Sequence, residues 1–192
     1  MTYAPSYGFS YYKQVGTSPI EAWYHSGGTK TSPTANTAGT IDRLEACPFV
    51  CERGGTIDRL AFRVTTGGTA GSVARVGIYT NTGDNNPQPN ALVVDGGEFD
   101  TTTTGVKSAT ISNVLAPGLY WFVFHAGVAA PTIRGWGVAA LNNTIMGISA
   151  VSGWDSVFRV TKAYAALPDP FTAGGGWQRG VTAPAIAVRF SA

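Results

Sequence analysis

The acidic and histidine side chains are the residues whose chemistry could support catalysis. His25 and His125 are far apart in the chain and form neither an HxH nor an HExxH motif. Asp95, Glu98 and Asp100 cluster around a Gly-Gly pair. In an extended strand, Glu98 and Asp100 would share a face about 7 Å apart, within the range of the two carboxyl groups of a glycosidase. Turns also collect acids, and no other feature indicates a cleft, so we predict no catalytic residue and no enzymatic activity, with a glycosidase as an alternative.

A second polar cluster could bind a metal ion. Asn81, Asp84, Asn85 and Asn86 place oxygen ligands in one predicted loop, and Ca²⁺ prefers oxygen ligands. A single carboxylate is weak ligation for that ion, and solvation of a loop explains the same composition. We therefore predict no metal and no cofactor.

Three tryptophans that adjoin glycines are candidates for binding: Trp136, Trp154 and Trp177. A glycine neighbour leaves an indole face accessible, which suits stacking on a sugar ring or packing against another subunit in a trimer. Trp136 lies in a predicted strand, so we interpret it first as a core residue, with a glycan or trimer contact as the alternative. Trp177 is the one that we expect at a surface or an interface.

The two cysteines, Cys47 and Cys51, lie in a predicted strand. Four residues of extended chain separate their Cα atoms by about 13 Å, whereas a disulfide requires roughly 4.4–6.8 Å. Only a turn at Pro48 would bring them together. We therefore expect free thiols that share one strand face with Phe49 and pack in the core.

Composition indicates the fold class. The chain has 192 residues, of which 25 are glycine and 11 are proline, and these two types interrupt helices at short intervals. Hydrophobic residues make up 44%, enough for a packed core, and the length suits about one domain. The net charge of +2 is too weak to indicate nucleic acid as the partner. No segment approaches the ~20 apolar residues of a membrane helix, and residues 1–12 lack the pattern of a secretory signal, so we expect the protein to begin in a cytosol.

Residues 1–36 differ from the rest and are predicted to form an extended aromatic N-terminal arm and linker. Its aromatic residues are Tyr3, Tyr7, Phe9, Tyr11, Tyr12, Trp23 and Tyr24. The polar stretch 26–36 is typical of a linker. Aromatic side chains this frequent need a surface to cover. Either the arm docks on a neighbouring subunit or a larger assembly, or it folds back on its own domain.

Residues 37–192 are predicted to form one domain of short strands separated by turns. In 55–66 apolar side chains alternate with Arg59, Ala61 and Arg63. Short strands are expected at 91–95 and 99–104, around a Gly-Gly bend. The run 119–124 is apolar on both faces, which predicts a central strand covered on each side. About eight strands with regular turns indicate an all-β antiparallel sandwich, most simply a jelly roll.

The chain resembles a known family in several segments of this predicted domain: Ile57-Asp-Arg-Leu-Ala-Phe-Arg-Val-Thr-Thr66, Gly71-Ser-Val-Ala-Arg-Val-Gly-Ile-Tyr79, Ala91-Leu-Val-Val-Asp-Gly-Gly97, Thr104-Gly-Val-Lys107 and Ala116-Pro-Gly-Leu-Tyr-Trp121. It is similar to the jelly-roll virion surface proteins of tailed bacteriophages, which include capsid decoration (cement) proteins and tail receptor-binding proteins. The similarity covers about residues 37–190 and is carried by structural rather than catalytic motifs.

The resemblance implies a non-enzymatic, trimeric component of the virion surface, assembled in the host cytoplasm. The short chain, the aromatic arm and the lack of shaft-forming repeats favour a decoration protein that docks on the major capsid protein or other virion proteins through its arm, gaining affinity from several weak contacts at once. The alternative is a tail appendage or receptor-binding module that recognises a host-surface glycan through the three tryptophans. Neither role requires nucleic acid or a membrane.

Overall fold

The computed structural model describes residues 22–25, 35–51, 54–83, 87–136, 157–171, 178–180 and 182–191. Within these residues the regular structure consists of thirteen strands and no helix. The strands are β1 (Ala22–His25), β2 (Ala35–Ala38), β3 (Arg43–Cys51), β4 (Gly55–Thr66), β5 (Val73–Asn81), β6 (Pro89–Asp100), β7 (Gly105–Leu115), β8 (Gly118–Gly127), β9 (Thr132–Trp136), β10 (Val157–Thr161), β11 (Gln178–Gly180), β12 (Ala183–Pro184) and β13 (Ile186–Phe190).

The strands form two antiparallel sheets that pack face to face. In sheet A, β4 pairs with β7 along one edge and with β13 and β9 along the other, while β1 pairs with β13, and β2 and β12 pair with β9. Sheet B has the order β11-β10-β3-β8-β5-β6. The prediction of an all-β antiparallel sandwich is therefore confirmed, and the jelly-roll topology stays a prediction. There are more strands than expected because β1, β2, β11 and β12 contain only two to four residues, too few for alternation to be visible in a sequence.

The main core lies between the sheets and confirms the alternation predicted for β4. Leu60, Phe62 and Val64 are buried there. The ring of Phe62 makes edge contacts with Phe99 and Phe124, at centroid distances of 5.3 and 5.5 Å. Edge-to-face pairs of this kind add to the gain from apolar burial, so they help to hold the two sheets together.

Both cysteines are free and buried, as predicted. Pro48 continues β3 and pairs with Trp121 of β8, so the segment makes no turn that would join the thiols. The Sγ of Cys47 lies 3.6 Å from the carbonyl oxygens of Phe122 and Pro184. The thiol therefore contacts a carbonyl of each sheet.

Strand β8 is central, as its two apolar faces predicted. It lies between β3 and β5, and its inward face joins the main core. Its outward face belongs to a second cluster that includes Trp121, Val123, Leu167 and Phe171. Leu167 and Phe171 come from residues 162–171, which we call the strap. Hydrogen bonds connect the strap to sheet B. In one of them the hydroxyl of Tyr79 in β5 donates to the carbonyl of Pro168 at 2.7 Å.

The predicted pair of short strands around a Gly-Gly bend is wrong, because β6 runs through this region without a break. Arg75 pairs with Glu98, and Gly77 pairs with Asp95, so β6 carries one extra residue between these pairs and forms a β-bulge. Gly97 has a φ of 85°, and its N–H donates to Asp95 Oδ1 at 2.9 Å. The glycine pair thus permits a β-bulge, and β6 pairs with β5 on both sides of it.

The segment predicted to be the arm and linker contributes two strands to sheet A. Ala22–His25 pairs with β13, and Ala35–Ala38 pairs with β9. Residues 22–25 therefore follow the second alternative, in which the chain folds back on its own domain. The predicted boundary between residues 36 and 37 falls inside β2. Residues 1–21 lie outside the described residues.

Candidate functional site

His125, one of the two histidines considered for catalysis, is fully buried in β8. Its Nε2 lies 3.1 Å from the carbonyl oxygen of Lys162 in the strap, so the Nε2–H donates to that carbonyl. Its ring contacts the ring of Tyr164 at 5.0 Å. Burial lowers the pKa of His125 and outweighs the opposing effect of the hydrogen bond. This geometry matches the structural interpretation of His125, a strand residue hydrogen-bonded to a loop.

The three acids of the predicted cluster are all held by neighbouring groups, and Arg75 approaches two of them, because its Nη2 also lies 4.0 Å from Glu98 Oε2. Asp95 accepts from Arg75 Nη1 at 3.0 Å, and Glu98 accepts from the Tyr164 hydroxyl at 3.0 Å. Asp100 accepts from the backbone N–H and the hydroxyl of Thr102, and the side-chain bond is the main cause of its lowered pKa. The carboxylates of Glu98 and Asp100 thus accept hydrogen bonds from different residues, Tyr164 and Thr102.

The oxygen-rich loop considered for Ca²⁺ is described only in part. Asn81 Oδ1 accepts the indole N–H of Trp121 at 3.0 Å, while residues 84–86 lie outside the described residues. Within the described part of the chain, no three His, Cys, Asp or Glu side chains come close enough together to hold a metal ion.

The predicted contact residues have different outcomes. Trp136 is a core residue, 2% exposed and packed in the main core, which corrects its inclusion among the tryptophans that might contact a glycan or another subunit. The backbones of Trp23 and Tyr24 lie in β1, opposite Arg189 and Val188 of β13. The remaining candidates lie outside the described residues: Tyr3, Tyr7, Phe9, Tyr11, Tyr12, Trp154 and Trp177.

A buried ion pair lies in the sandwich, where sequence analysis had placed no charge. Glu45 of β3 is 1% exposed, and its Oε1 accepts from Arg159 Nε of β10 at 2.8 Å. Arg43 Nε is 3.6 Å from the same oxygen. Burial raises the pKa of Glu45 in spite of the opposing attraction of the two arginines. Arg159 also donates to the carbonyl of Thr182, which precedes β12, so the pair links the two sheets.

The described surface most suited to binding is the outer face of sheet A, by which we mean the outward side chains of β4, β7, β9 and β13. Along β7 these side chains are uncharged: Val106, Ser108, Thr110, Ser112 and Val114. Val106 and Val114 are 66% and 75% exposed. The charged residue of β7, Lys107, lies on the opposite face. The outward side of β7 therefore lacks the charged side chains that commonly protect a sheet edge.

The registers of β4, β7 and β13 arrange the outer face in rows. Ala61 lies between Ser108 and Ala187, which makes one row of small side chains across β7, β4 and β13. In β1, the next strand of the sheet, His25 pairs with Ala187. On one side of this row Arg59 lies between Thr110 and Arg189. On its other side Arg63 pairs with Val106. The small row is therefore flanked by arginines.

Charge on this face is mostly positive. Arg189 donates to both carboxylate oxygens of Asp58, at 2.8 and 2.7 Å, and these hydrogen bonds are the main cause of the lowered pKa of Asp58. Arg59 donates to the backbone carbonyl of Asp58. Arg63 is exposed and makes no salt bridge with any described residue. The alternation of Arg59 and Arg63 with core residues was predicted from the sequence, whereas the surface that they form with β7 and β13 was not.

In the described residues no helix is long and apolar enough to cross a membrane. Comparison with protein-family models gave no match, and no curated protein sequence matches this chain.

Proposed function

We propose that this protein is a structural component of the virion surface of a tailed bacteriophage, a decoration protein that docks on the capsid and stabilises it without catalysing a reaction. Its partners would be the major capsid protein and two further copies of itself in a trimer. The docking contacts would include the residues before β1, with Tyr3, Tyr7, Phe9, Tyr11 and Tyr12.

The observation that supports the proposal is the outer face of sheet A. It combines the uncharged outward side of the edge strand β7, two exposed valines and Arg63 without an ion-pair partner among the described residues. Two ion pairs of the other sheet are made within the domain, Glu45–Arg159 and Asp95–Arg75. A domain with such an accessible face is suited to binding a capsid, because several weak contacts made at the same time add up to a high overall affinity.

The proposal is tested by mixing the purified protein with capsids that lack a decoration protein and, separately, with host cells. We expect co-sedimentation with capsids, greater resistance of the particles to heat, and a trimer mass by light scattering. Binding to cells but not to capsids would overturn the proposal in favour of a receptor-binding module.

The structure defines the truncation that tests the arm. Removing residues 1–21 leaves β1 and its pairing with β13 intact, whereas removing 1–25 also deletes that strand. We expect the first truncation to retain the thermal stability of the domain and to weaken docking. Unchanged docking would show that residues 1–21 make no contact with the capsid. The second truncation is the control for damage to the domain, because it exposes the edge of β13.

A further inference from the structure

We infer that the outer face of sheet A docks on a carboxylate-rich protein surface, with Arg59 and Arg63 receiving acidic side chains on either side of the small row. This inference rests on the proposed function, because it names the face and the chemistry by which the domain would contact a capsid. It adds a second docking element to the arm.

The first support is the shape of the face. Arg59 and Arg63 are four residues apart on β4, which places them about 13 Å apart along the strand. Between them lies the row of Ser108, Ala61 and Ala187. Ala61 is only 4% exposed. By register, an acidic side chain placed over this row would lie between Arg59 and Arg63.

The second support is charge. The described outward side chains of sheet A include four arginines, Arg59, Arg63, Arg134 and Arg189, and one acid, Asp58. The acid is already held by Arg189 through two hydrogen bonds. That pair also shows the kind of contact expected, because a planar guanidinium binds a carboxylate through two parallel N–H donors. Arg59 and Arg63, which make no salt bridge with a described residue, give this part of the face a positive charge that is complementary to an acidic surface.

The third support distinguishes a protein partner from a nucleic acid. Cores of protein–protein interfaces are enriched in arginine and apolar groups and depleted in lysine. The outer face has arginine but no lysine among its described residues, and Val106 and Val114 are largely exposed beside it. Proteins that bind nucleic acids carry denser basic patches, whereas the whole chain has a net charge of only +2. The observations favour a protein surface.

The direct test uses amide NMR spectra of the full-length protein titrated with a capped octaglutamate peptide at low ionic strength. We expect the largest shift changes at Arg59, Ala61, Arg63 and Ser108, and loss of these changes in Arg63→Glu. The matched control is Lys162→Glu, which makes the same charge change in the strap on the other sheet. Changes confined to sheet B, or spread evenly over the protein, would overturn the inference. A duplex DNA oligonucleotide that binds this face more tightly than the peptide would also overturn it.

A second measurement uses the capsids. If the wild type binds them, Arg63→Glu should bind about fivefold more weakly or worse at low salt, since an exposed ion pair contributes up to about 1 kcal/mol and reversal adds repulsion. Lys162→Glu should bind as the wild type does. Equal binding of both variants would refute docking through this face and leave the decoration function standing. If the wild type does not bind capsids, the proposed function fails, and the peptide titration still decides whether the face receives carboxylates.

Discussion

The ring of Tyr164 lies where a side chain of residue 127 would be. A Cβ atom added to Gly127 would come within 2.3 Å of Cγ of Tyr164. The strap can therefore cross the end of β8 only because residue 127 has no side chain. The absence of a side chain at Gly77 likewise makes room for Leu167, whose Cδ1 would be 2.3 Å from a Cβ added to Gly77.

We predict that Gly127→Ala lowers the free energy of unfolding by about 1–3 kcal/mol, the usual cost of overpacking. The clash involves a ring in the strap, so the strap must shift and give up contacts with β8. Chemical denaturation measures the change. In a double-mutant cycle, Tyr164→Ala should remove most of the cost of Gly127→Ala, because the two side chains would no longer compete for the same space. Additive effects of the two substitutions would contradict this explanation.

Protonation of His125 should destabilise the protein at mildly acidic pH. The unfolded chain takes up a proton near the ordinary histidine pKa of 6.5, whereas burial lowers the pKa of His125 in the folded state. Below pH 6.5 the unfolded state therefore binds more protons, and stability falls as pH decreases toward the folded pKa. His125→Gln, which can still donate to the Lys162 carbonyl, should lose this part of the pH dependence. Denaturation at several pH values between 5 and 7.5 compares the two, and parallel curves would refute the prediction.

Removing one partner of the Glu45–Arg159 pair should lower the free energy of unfolding more than replacing both partners with leucine. Glu45→Leu leaves Arg159 without its carboxylate, and Arg159→Leu leaves a carboxylate that is 1% exposed. We expect each single substitution to cost about 3–5 kcal/mol. The double substitution Glu45→Leu/Arg159→Leu should cost less than either, because the charge that remains, Arg43, keeps 22% of its side chain exposed to solvent. Urea denaturation gives all three values. A double variant less stable than both single variants would show that the ion pair itself stabilises the sandwich.

The two thiols should be inert in the folded protein. Cys47 and Cys51 are free and buried, so a thiol reagent such as DTNB should label neither cysteine until the protein is unfolded, and then label both. A reducing agent should leave the melting temperature unchanged. A fall in melting temperature on reduction would indicate a disulfide and contradict the structure.

The features that the sequence determined are those that depend on short stretches of chain. Alternation in β4 identified Leu60, Phe62 and Val64 as core residues, because side chains of a strand point to opposite faces in turn. The same rule placed Cys47 and Cys51 on one face of a strand. The length of an extended chain showed that their Cα atoms are too far apart for a disulfide. The two apolar faces of residues 119–124 identified β8 as a central strand, although the sequence did not show which segments pack against each face.

Only the tertiary structure decided which distant segments meet. The strap covers β8 through Tyr164 and Leu167, and the row of Ser108, Ala61 and Ala187 needs the registers of β7, β4 and β13 together. Glu45 is paired with Arg159 although the two lie far apart in the chain. The physical reason is that side-chain alternation is a local property of each strand, whereas register and the choice of neighbouring strand are set by backbone hydrogen bonds and packing between segments remote in sequence.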